Sequence, residues 1–151
     1  MNNRSKKAVI LTGLFLVSLS SVFAADWSRW RGPNADGISA EKDWDPMMVS
    51  DQIKPLWTAE VGQGFSAVTV ADGKALTMGN IKNTDVLFCF DAQTGKELWK
   101  YEYKESLGAK WYDGGTHMTP TLFDGKVYIL SKSGKAICLS LADGKVIGKK
   151  S

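Results

Sequence analysis

His117 is the only histidine in this chain of 151 residues, and Cys89 and Cys138 are its only cysteines. An imidazole can act as a general base or a metal ligand, and a thiolate can bind zinc or act as a nucleophile. No Cys, His or Glu stands near His117 at a spacing typical of a metal site or a catalytic pair. The sequence therefore predicts no catalytic residue and no metal ligand.

The first 24 residues have the pattern of a secretory signal peptide. A basic start without acidic residues precedes an apolar run over residues 8–23, which ends in Val22-Phe23-Ala24. We predict cleavage between Ala24 and Ala25 and export to the periplasm or the cell exterior. The run is shorter than the roughly 20 residues of a spanning helix, so no transmembrane span is expected after signal removal. No cysteine stands near the cleavage position to accept a lipid.

Removal of this segment changes the net charge. The whole chain has 19 basic and 16 acidic residues, for a net charge of +3. Three of the basic residues and none of the acidic ones lie in the signal segment, so the mature chain would carry 16 of each. A neutral chain lacks the positive excess that favours nucleic-acid binding, and no nucleic-acid partner is predicted.

Two segments of the mature chain repeat each other. Each has an apolar run, then Asp-Gly-Lys, then a second apolar run, and the two Asp-Gly-Lys sequences begin at Asp72 and Asp124. A further match aligns residues 89–96 with 138–145. The offset is 52 residues in the first match and 49 in the second. The difference falls at residues 80–83, a polar stretch that predicts a longer loop.

The repeat predicts four strands in each segment, because Asp-Gly between apolar runs is a strong hairpin signal. Lys54–Thr58 resembles residues 96–100 and predicts one extra strand. The eight strands of the two segments are predicted at Ser66–Val70, Lys74–Met78, Asp85–Phe90, Glu97–Tyr101, Met118–Leu122, Lys126–Leu130, Lys135–Leu139 and Lys145–Lys149.

Four-stranded units at this period predict an all-β fold, a partial β-propeller of about two blades plus one extra strand. The predicted organisation is a signal peptide at 1–24, an N-terminal extension at 25–53 and incomplete repeats at 54–151, with blades at about 62–101 and 115–151. A propeller closes with about 4–8 blades. We therefore expect either the N-terminal part of a longer propeller or one of several chains that complete it.

Residues 91–99 carry a motif of a known family. Their sequence, Asp-Ala-Gln-Thr-Gly-Lys-Glu-Leu-Trp, resembles the tryptophan-docking motif Asp-Ala-x-Thr-Gly-x-x-x-Trp of quinoprotein-type propellers, whose units are called pyrroloquinoline-quinone-like repeats. Residues 26–39 resemble the mature start of secreted members, so the resemblance covers nearly all of 26–150. It implies a turn followed by a tryptophan that packs between blades. The motif residues are Asp91, Ala92, Thr94, Gly95 and Trp99.

The second repeat departs from this motif. Ser140, Ala142 and Asp143 stand at the positions of Asp91, Gln93 and Thr94, and Gly148 stands at the position of Trp99. The departures predict a weaker second docking contact. The repeat also places Cys89 and Cys138 at equivalent positions of successive blades, farther apart than the roughly 7 Å that a disulfide spans between Cα atoms. We expect both thiols to be free and buried as small apolar groups.

The loop that enters the second blade contains three weak candidates for a ligand-facing surface, Trp111, Tyr112 and His117. In propellers such a loop can face the central funnel, where ligands bind. The alternative is that the two aromatic residues cover the seam between blades.

Two functions follow from the resemblance. The first is an exported, non-catalytic scaffold that binds proteins, similar to the propeller subunit of the outer-membrane β-barrel assembly machinery, although that subunit has a lipid-acceptor cysteine and this chain lacks one. The second is a fragment of a pyrroloquinoline-quinone-dependent alcohol or sugar dehydrogenase with calcium, although the adjacent cysteine pair of such alcohol dehydrogenases is absent from this sequence. We favour the first, so no cofactor is predicted and the partners are proteins or the missing propeller blades.

Overall fold

The computed structural model describes residues 25–42, 45, 47, 53–110 and 113–151. The predicted signal peptide, Trp111 and Tyr112 lie outside these residues. Eight strands form within the described part of the chain. They are β1 (Thr69–Ala71), β2 (Lys74–Asn80), β3 (Thr84–Asp91), β4 (Glu97–Lys104), β5 (Thr121–Phe123), β6 (Lys126–Leu130), β7 (Ala136–Ser140) and β8 (Val146–Lys150).

The strands build two four-stranded sheets in the orders β1-β2-β3-β4 and β5-β6-β7-β8. Every neighbouring pair is antiparallel. Both sheets have a register shift at the same repeat position, between Cys89 and Phe90 in the first sheet and between Cys138 and Leu139 in the second. The predicted all-β fold of two four-stranded units is confirmed.

The Asp-Gly sequences form the predicted hairpin turns. Asp72 and Gly73 have φ values of 50° and 69°, and Asp124 and Gly125 have 50° and 65°. Two successive left-handed residues are characteristic of a type I′ turn, whose twist matches that of the flanking strands.

The longer loop predicted at residues 80–83 is wrong. β2 continues to Asn80 and β3 begins at Thr84, so the extra residues of the first repeat lengthen the hairpin. The Asn80 side chain fixes this end. Its Nδ2 donates to Asp85 Oδ1 at 2.6 Å, and its Oδ1 accepts the Asn83 backbone N–H at 3.1 Å. A polar side chain that satisfies the turn backbone stabilises a tight connection.

The first strand of each sheet starts three residues later than predicted. Ser66 Oγ accepts the Met78 N–H at 3.3 Å, and the Ala67 N–H donates to Thr119 Oγ1 at 3.1 Å. These two backbone N–H groups therefore donate to side-chain hydroxyls and not to the carbonyls of a neighbouring strand. Pro120 precedes β5 and has no N–H to donate.

The extra strand predicted at Lys54–Thr58 is also wrong, since no ladder forms there in the described part of the chain. Pro55 lacks a backbone donor. Trp57 anchors the segment instead, through a ring contact with Phe90 at 5.9 Å between centroids. A side chain rather than a strand pairing thus holds this segment.

The main core lies between the two sheets. It includes Leu76, Leu87 and Cys89 of the first sheet and Val127 and Leu139 of the second, all 0% exposed. The opposite face of the first sheet is also covered, because Trp57 and Val61 pack against a smaller cluster of Val86, Phe88 and Phe90. β2 and β3 are therefore buried on both faces, whereas β6 alternates between buried and exposed residues.

The N-terminal segment connects the first strands of the two sheets. Trp27 pairs with Val70 of β1 through backbone bonds of 2.8 and 3.0 Å, and the Ser28 carbonyl accepts the Leu122 N–H of β5 at 2.7 Å. The Trp27 ring covers Gly32, where a Cβ would lie 2.7 Å from the ring. This segment spans the seam between the sheets at their β1 and β5 edges.

Candidate docking site

Residues 91–96 form a turn between β3 and β4, here called the first docking turn. Asp91 Oδ1 accepts the Thr94 N–H at 2.8 Å and the Thr94 hydroxyl at 2.7 Å. These bonds from Thr94 lower the pKa of the Asp91 carboxyl. Gly95 has a φ of 70° and donates its N–H to the Asp91 carbonyl at 2.9 Å. The turn is fixed by its own side chains.

Trp57 lies on the first docking turn. Its Nε1 donates to the Ala92 carbonyl at 3.0 Å. A Cβ built on Gly95 would lie 2.5 Å from the Trp57 ring, so the ring occupies the space that any other residue would need. The turn thus binds the Trp57 indole through the Ala92 carbonyl, and the missing side chain of Gly95 leaves room for the ring.

Residues 140–145, here called the second docking turn, receive Trp99 in the same way. Trp99 Nε1 donates to the Leu141 carbonyl at 3.1 Å, and a Cβ on Gly144 would lie 2.6 Å from the Trp99 ring. The turn also keeps its closing bond, from the Gly144 N–H to the Ser140 carbonyl at 2.9 Å. Trp99 therefore joins the fourth strand of the first sheet to the turn of the second.

The altered side chains of the second docking turn make a different bond, while the backbone bonds that close the turn match those of the first. Asp143 pairs with Lys145, whose Nζ lies 2.6 Å from Asp143 Oδ2. This bond and a second from Ser140 lower the pKa of the Asp143 carboxyl to about 2. The weaker second contact that the motif departures predict stays a prediction, and the acceptor for Trp99 is the Leu141 carbonyl. The glycines at 95 and 144 were the signal that both turns accept an indole.

Gly148 occupies the position of Trp99 in the second sheet. Trp99 is opposite Cys89 in the ladder, and Gly148 is opposite Cys138. No described residue covers this face of the second sheet, which holds a groove of about 530 Å³. We call it the open groove. Its walls include Tyr128, Leu130, Ala136, Cys138, Gly148 and Lys150.

The two cysteines are free, as the repeat predicted, but their surroundings differ. Cys89 is buried in the core, and burial raises the pKa of its thiol to about 11. Cys138 is only partly buried, because no neighbouring sheet covers its face within the described chain. The expectation that both are buried apolar groups is therefore wrong for Cys138.

His117 lies at the edge of a small cavity between the two sheets. The cavity has a volume of about 70 Å³ and is lined in part by Asp85, Tyr103 and Thr116. The His117 ring is exposed and stacks on Phe65, with 5.4 Å between centroids and an angle of 13°. His117 and Asp85 line the same cavity, a proximity that the sequence did not indicate.

Asp85 is the buried acid of this cavity, with 2% of its surface exposed. Tyr103 Oη donates to Asp85 Oδ2 at 3.1 Å. Burial, followed by the Asp85 charge, raises the pKa of Tyr103, which keeps the hydroxyl protonated and able to donate. Asn80 Nδ2 donates to the other oxygen of the Asp85 carboxylate, Oδ1. Asp85, Tyr103 and Asn80 thus form a hydrogen-bonded network at the seam between the sheets.

Two four-stranded antiparallel sheets that stack on a shared core, with a tryptophan from one docked on the turn of the next, define a β-propeller repeat protein. The model of the family described as "Outer membrane protein assembly factor BamB" matches residues 49–147, about two thirds of the sequence. The chain belongs to this family.

Two curated proteins are similar to this chain. Outer membrane protein assembly factor BamB of Xanthomonas campestris is 28% identical over 145 residues, which cover 90% of this chain and 34% of the relative. Tungstate-binding protein TupA of Campylobacter jejuni is 32% identical over 83 residues, 55% of this chain and 27% of the relative. The chain thus spans about a third of the length of the relatives it matches.

Two solved structures also resemble it. BamB from Moraxella catarrhalis aligns with a TM-score of 0.45 and 20% identity over 58% of this chain and 24% of the other. A europium-containing methanol dehydrogenase aligns with a TM-score of 0.42 and 19% identity over 55% and 14%. Among the described residues there is also no helix with the length and apolar character needed to span a bilayer.

Proposed function

We propose that this chain is an exported, non-catalytic propeller module that binds other proteins and serves as a scaffold in the periplasm. The observation that carries the proposal is the open apolar face of the second sheet. Tyr128 is 40% exposed and Leu130 is 45% exposed, whereas their counterparts in the first sheet, Leu76 and Met78, are 0% and 2% exposed. Contiguous exposed apolar surface of this kind marks interaction sites, and the occupant is either a further propeller blade or a partner protein.

Family membership suggests which proteins this chain binds. The matching family and the Xanthomonas relative are both described as an outer membrane protein assembly factor. We extend that role to this chain as a partner in the assembly of outer membrane proteins. Export rests on the signal-peptide pattern of residues 1–24 and on predicted cleavage before Ala25.

The test is a photo-crosslinking experiment in the native host. A photoreactive phenylalanine analogue replaces Tyr128 in the open groove, and the same analogue replaces Lys100, an exposed residue of β4, as the control. We expect crosslinks from position 128 to outer membrane β-barrel proteins or to their assembly factors, identified by mass spectrometry, and none from position 100. Equal labelling at both positions would contradict a defined binding face.

A second measurement separates the scaffold from an enzyme. The purified protein is incubated with pyrroloquinoline quinone and calcium and assayed for dye-linked oxidation of alcohols and sugars. The proposal predicts no turnover above a control without protein. Turnover that depends on the quinone would contradict the proposal and favour a quinoprotein dehydrogenase.

A further inference from the structure

Charge is divided unequally between the two ends of the sheets. At the end that holds the docking turns, three Asp-Gly sequences, which begin at Asp72, Asp124 and Asp143, each place a lysine two residues after the aspartate. Lys126 Nζ lies 3.0 Å from Asp124 Oδ2, and Lys145 Nζ lies 2.6 Å from Asp143 Oδ2. Acidic and basic residues therefore balance in these turns.

The opposite end of the sheets carries lysines that have no acidic partner. We call it the basic end, and it consists of residues 81–84, 104–110 and 131–135. Lys82, Lys104 and Lys132 are exposed, and none of the three forms an ion pair within the described part of the chain. Lys110 is a fourth exposed lysine of these loops. The basic end therefore presents positive charge to solvent.

The acidic residues near the basic end do not cancel this charge. The Glu105 side chain is 8% exposed and is already paired with Lys135, whose Nζ lies 3.4 Å from Oε2. Asp85 is 2% exposed and accepts hydrogen bonds on both carboxylate oxygens. Asp113 is exposed on the adjoining segment. Across the described residues of these loops and of that segment, four exposed lysines thus face one exposed carboxylate.

Hydrogen bonds hold the loops of the basic end together. Asn83 Oδ1 accepts the Leu107 N–H at 2.9 Å, and the Leu107 carbonyl accepts a bond from Lys132 Nζ at 2.9 Å. Lys104 Nζ donates to Thr84 Oγ1 at 3.1 Å. An ammonium group has three N–H donors, so Lys104 and Lys132 each keep donors for a further acceptor. Because the loops are already fixed, a ligand need not order them on binding.

We infer that the basic end binds an extended acidic segment of a partner protein, whose carboxylates pair with Lys82, Lys104 and Lys132. These lysines come from three different loops, an arrangement that suits several carboxylates along a chain better than one compact anion. Neighbouring propeller blades pack on the faces of a sheet and not on its strand ends, so a further blade would leave this surface open. The inference rests on the proposed binding function and names the chemistry of the partner.

The experiment uses the full chain and two capped peptides that carry the same uncharged fluorescent label. One peptide alternates glutamate with glycine, and the other has glutamine in place of every glutamate. Fluorescence anisotropy at low salt should show saturable binding of the acidic peptide and at least about threefold weaker binding of the glutamine peptide. Affinity for the acidic peptide should fall between about 0.01 M and about 1 M salt, because the Debye length shrinks from about 30 Å to about 3 Å. Equal binding of the two peptides, or binding independent of salt, would overturn the inference.

A matched pair of charge reversals locates the bound peptide. Lys82→Glu alters the basic end, and Lys54→Glu alters an exposed lysine three residues before Trp57, whose indole bonds to a turn at the other end of the sheet. We expect Lys82→Glu to weaken binding at least about threefold and Lys54→Glu to leave it unchanged, with circular dichroism showing that both variants are folded. Unchanged affinity in Lys82→Glu, or equal losses in the two variants, would overturn the inference.

Lysine acetylation of the unaltered chain provides a readout without a substitution. Saturating acidic peptide should slow the acetylation of Lys82 and leave that of Lys54 unchanged, as measured by peptide mass mapping. Unchanged acetylation of Lys82 would contradict the site.

Vesicles that contain phosphatidylglycerol test a different occupant. Vesicle binding that Lys82→Glu abolishes, without binding of the acidic peptide, would assign the basic end to anionic lipid headgroups and overturn the inference. Failed peptide binding with crosslinks retained at position 128 would also overturn it and would leave the scaffold function standing.

Discussion

The indole nitrogen of Trp99 lies 3.1 Å from the carbonyl oxygen of Leu141, which belongs to the other sheet. This single bond connects the fourth strand of one repeat to the docking turn of the next. Because the acceptor is a backbone atom, the contact tolerates changes in the side chains of the receiving turn. It requires only the indole donor and a glycine that leaves room for the ring.

Trp99→Ala should destabilise the chain by about 3 kcal/mol, near the low end for a large aromatic because the ring is only partly buried. The loss combines apolar contact with the bond to Leu141. Chemical denaturation followed by circular dichroism measures it. Gly148→Ala is the matched control at the equivalent position. It should be neutral or slightly stabilising, since its Cβ meets nothing and φ is not positive. Equal effects of the two changes would contradict the docking role.

Gly95→Ala should cost more stability than Gly73→Ala. Both residues have nearly the same positive φ, 70° and 69°, so the backbone strain of about 1–2 kcal/mol is shared. Only at Gly95 would the new Cβ meet the Trp57 ring, which adds an overpacking cost of about 1–3 kcal/mol. In a Trp57→Ala background the difference between the two substitutions should disappear. A difference that persists there would show that the ring contact is not its cause.

The two thiols should react at very different rates. Burial raises the pKa of Cys89 to about 11, so at pH 8 its thiol is both shielded and protonated. Cys138 is partly exposed in the open groove. Alkylation with iodoacetamide and peptide mass mapping should show modification of Cys138 well before Cys89. A Cys89–Cys138 disulfide under non-reducing conditions would contradict the arrangement of the repeats.

Acid should weaken the second docking turn. The folded-state pKa of Asp143 is lowered to about 2, below the usual value of about 3.9 in an unfolded chain. The folded state therefore binds fewer protons, and this contribution to stability is present above pH about 4 and is lost as the pH falls toward about 2. Asp143→Asn should reduce the fall in Tm across that window. Because the group is exposed, the effect should be small and shrink at high salt. If Asp143→Asn left the pH dependence of Tm unchanged, the stabilising role of the Asp143 carboxylate would be contradicted.

The mature protein should begin at Ala25. The basic start and the apolar run that ends in Val22-Phe23-Ala24 predict cleavage after Ala24. N-terminal peptide mass spectrometry on protein from a periplasmic extract of the native host would identify this terminus. Intact Met1 or Asn2 at the N-terminus of the soluble protein would contradict the prediction.

The sequence alone determined the repeat, the hairpins and the all-β fold. Asp72-Gly73 and Asp124-Gly125 specify tight turns locally, because glycine adopts a left-handed conformation without steric cost. The spacing of the apolar runs then sets the strands. The equivalence of Trp99 and Gly148 was also readable, since both stand at the same distance from the repeat's third-strand cysteine.

Only the tertiary structure decided which surfaces these residues meet. The sequence differences at Ser140 and Asp143 predicted weaker docking but could not identify the acceptor of Trp99, which is the Leu141 backbone carbonyl. A backbone acceptor leaves no trace in residue types. The segment around Trp57 resembled a strand, but strand pairing depends on a partner and not on the segment's own sequence. The burial of a side chain likewise depends on the neighbouring elements and not on the residue's own segment. Cys89 and Cys138 share a repeat position, and they differ in exposure because, in the part of the chain that the structure describes, a neighbouring sheet covers only the first.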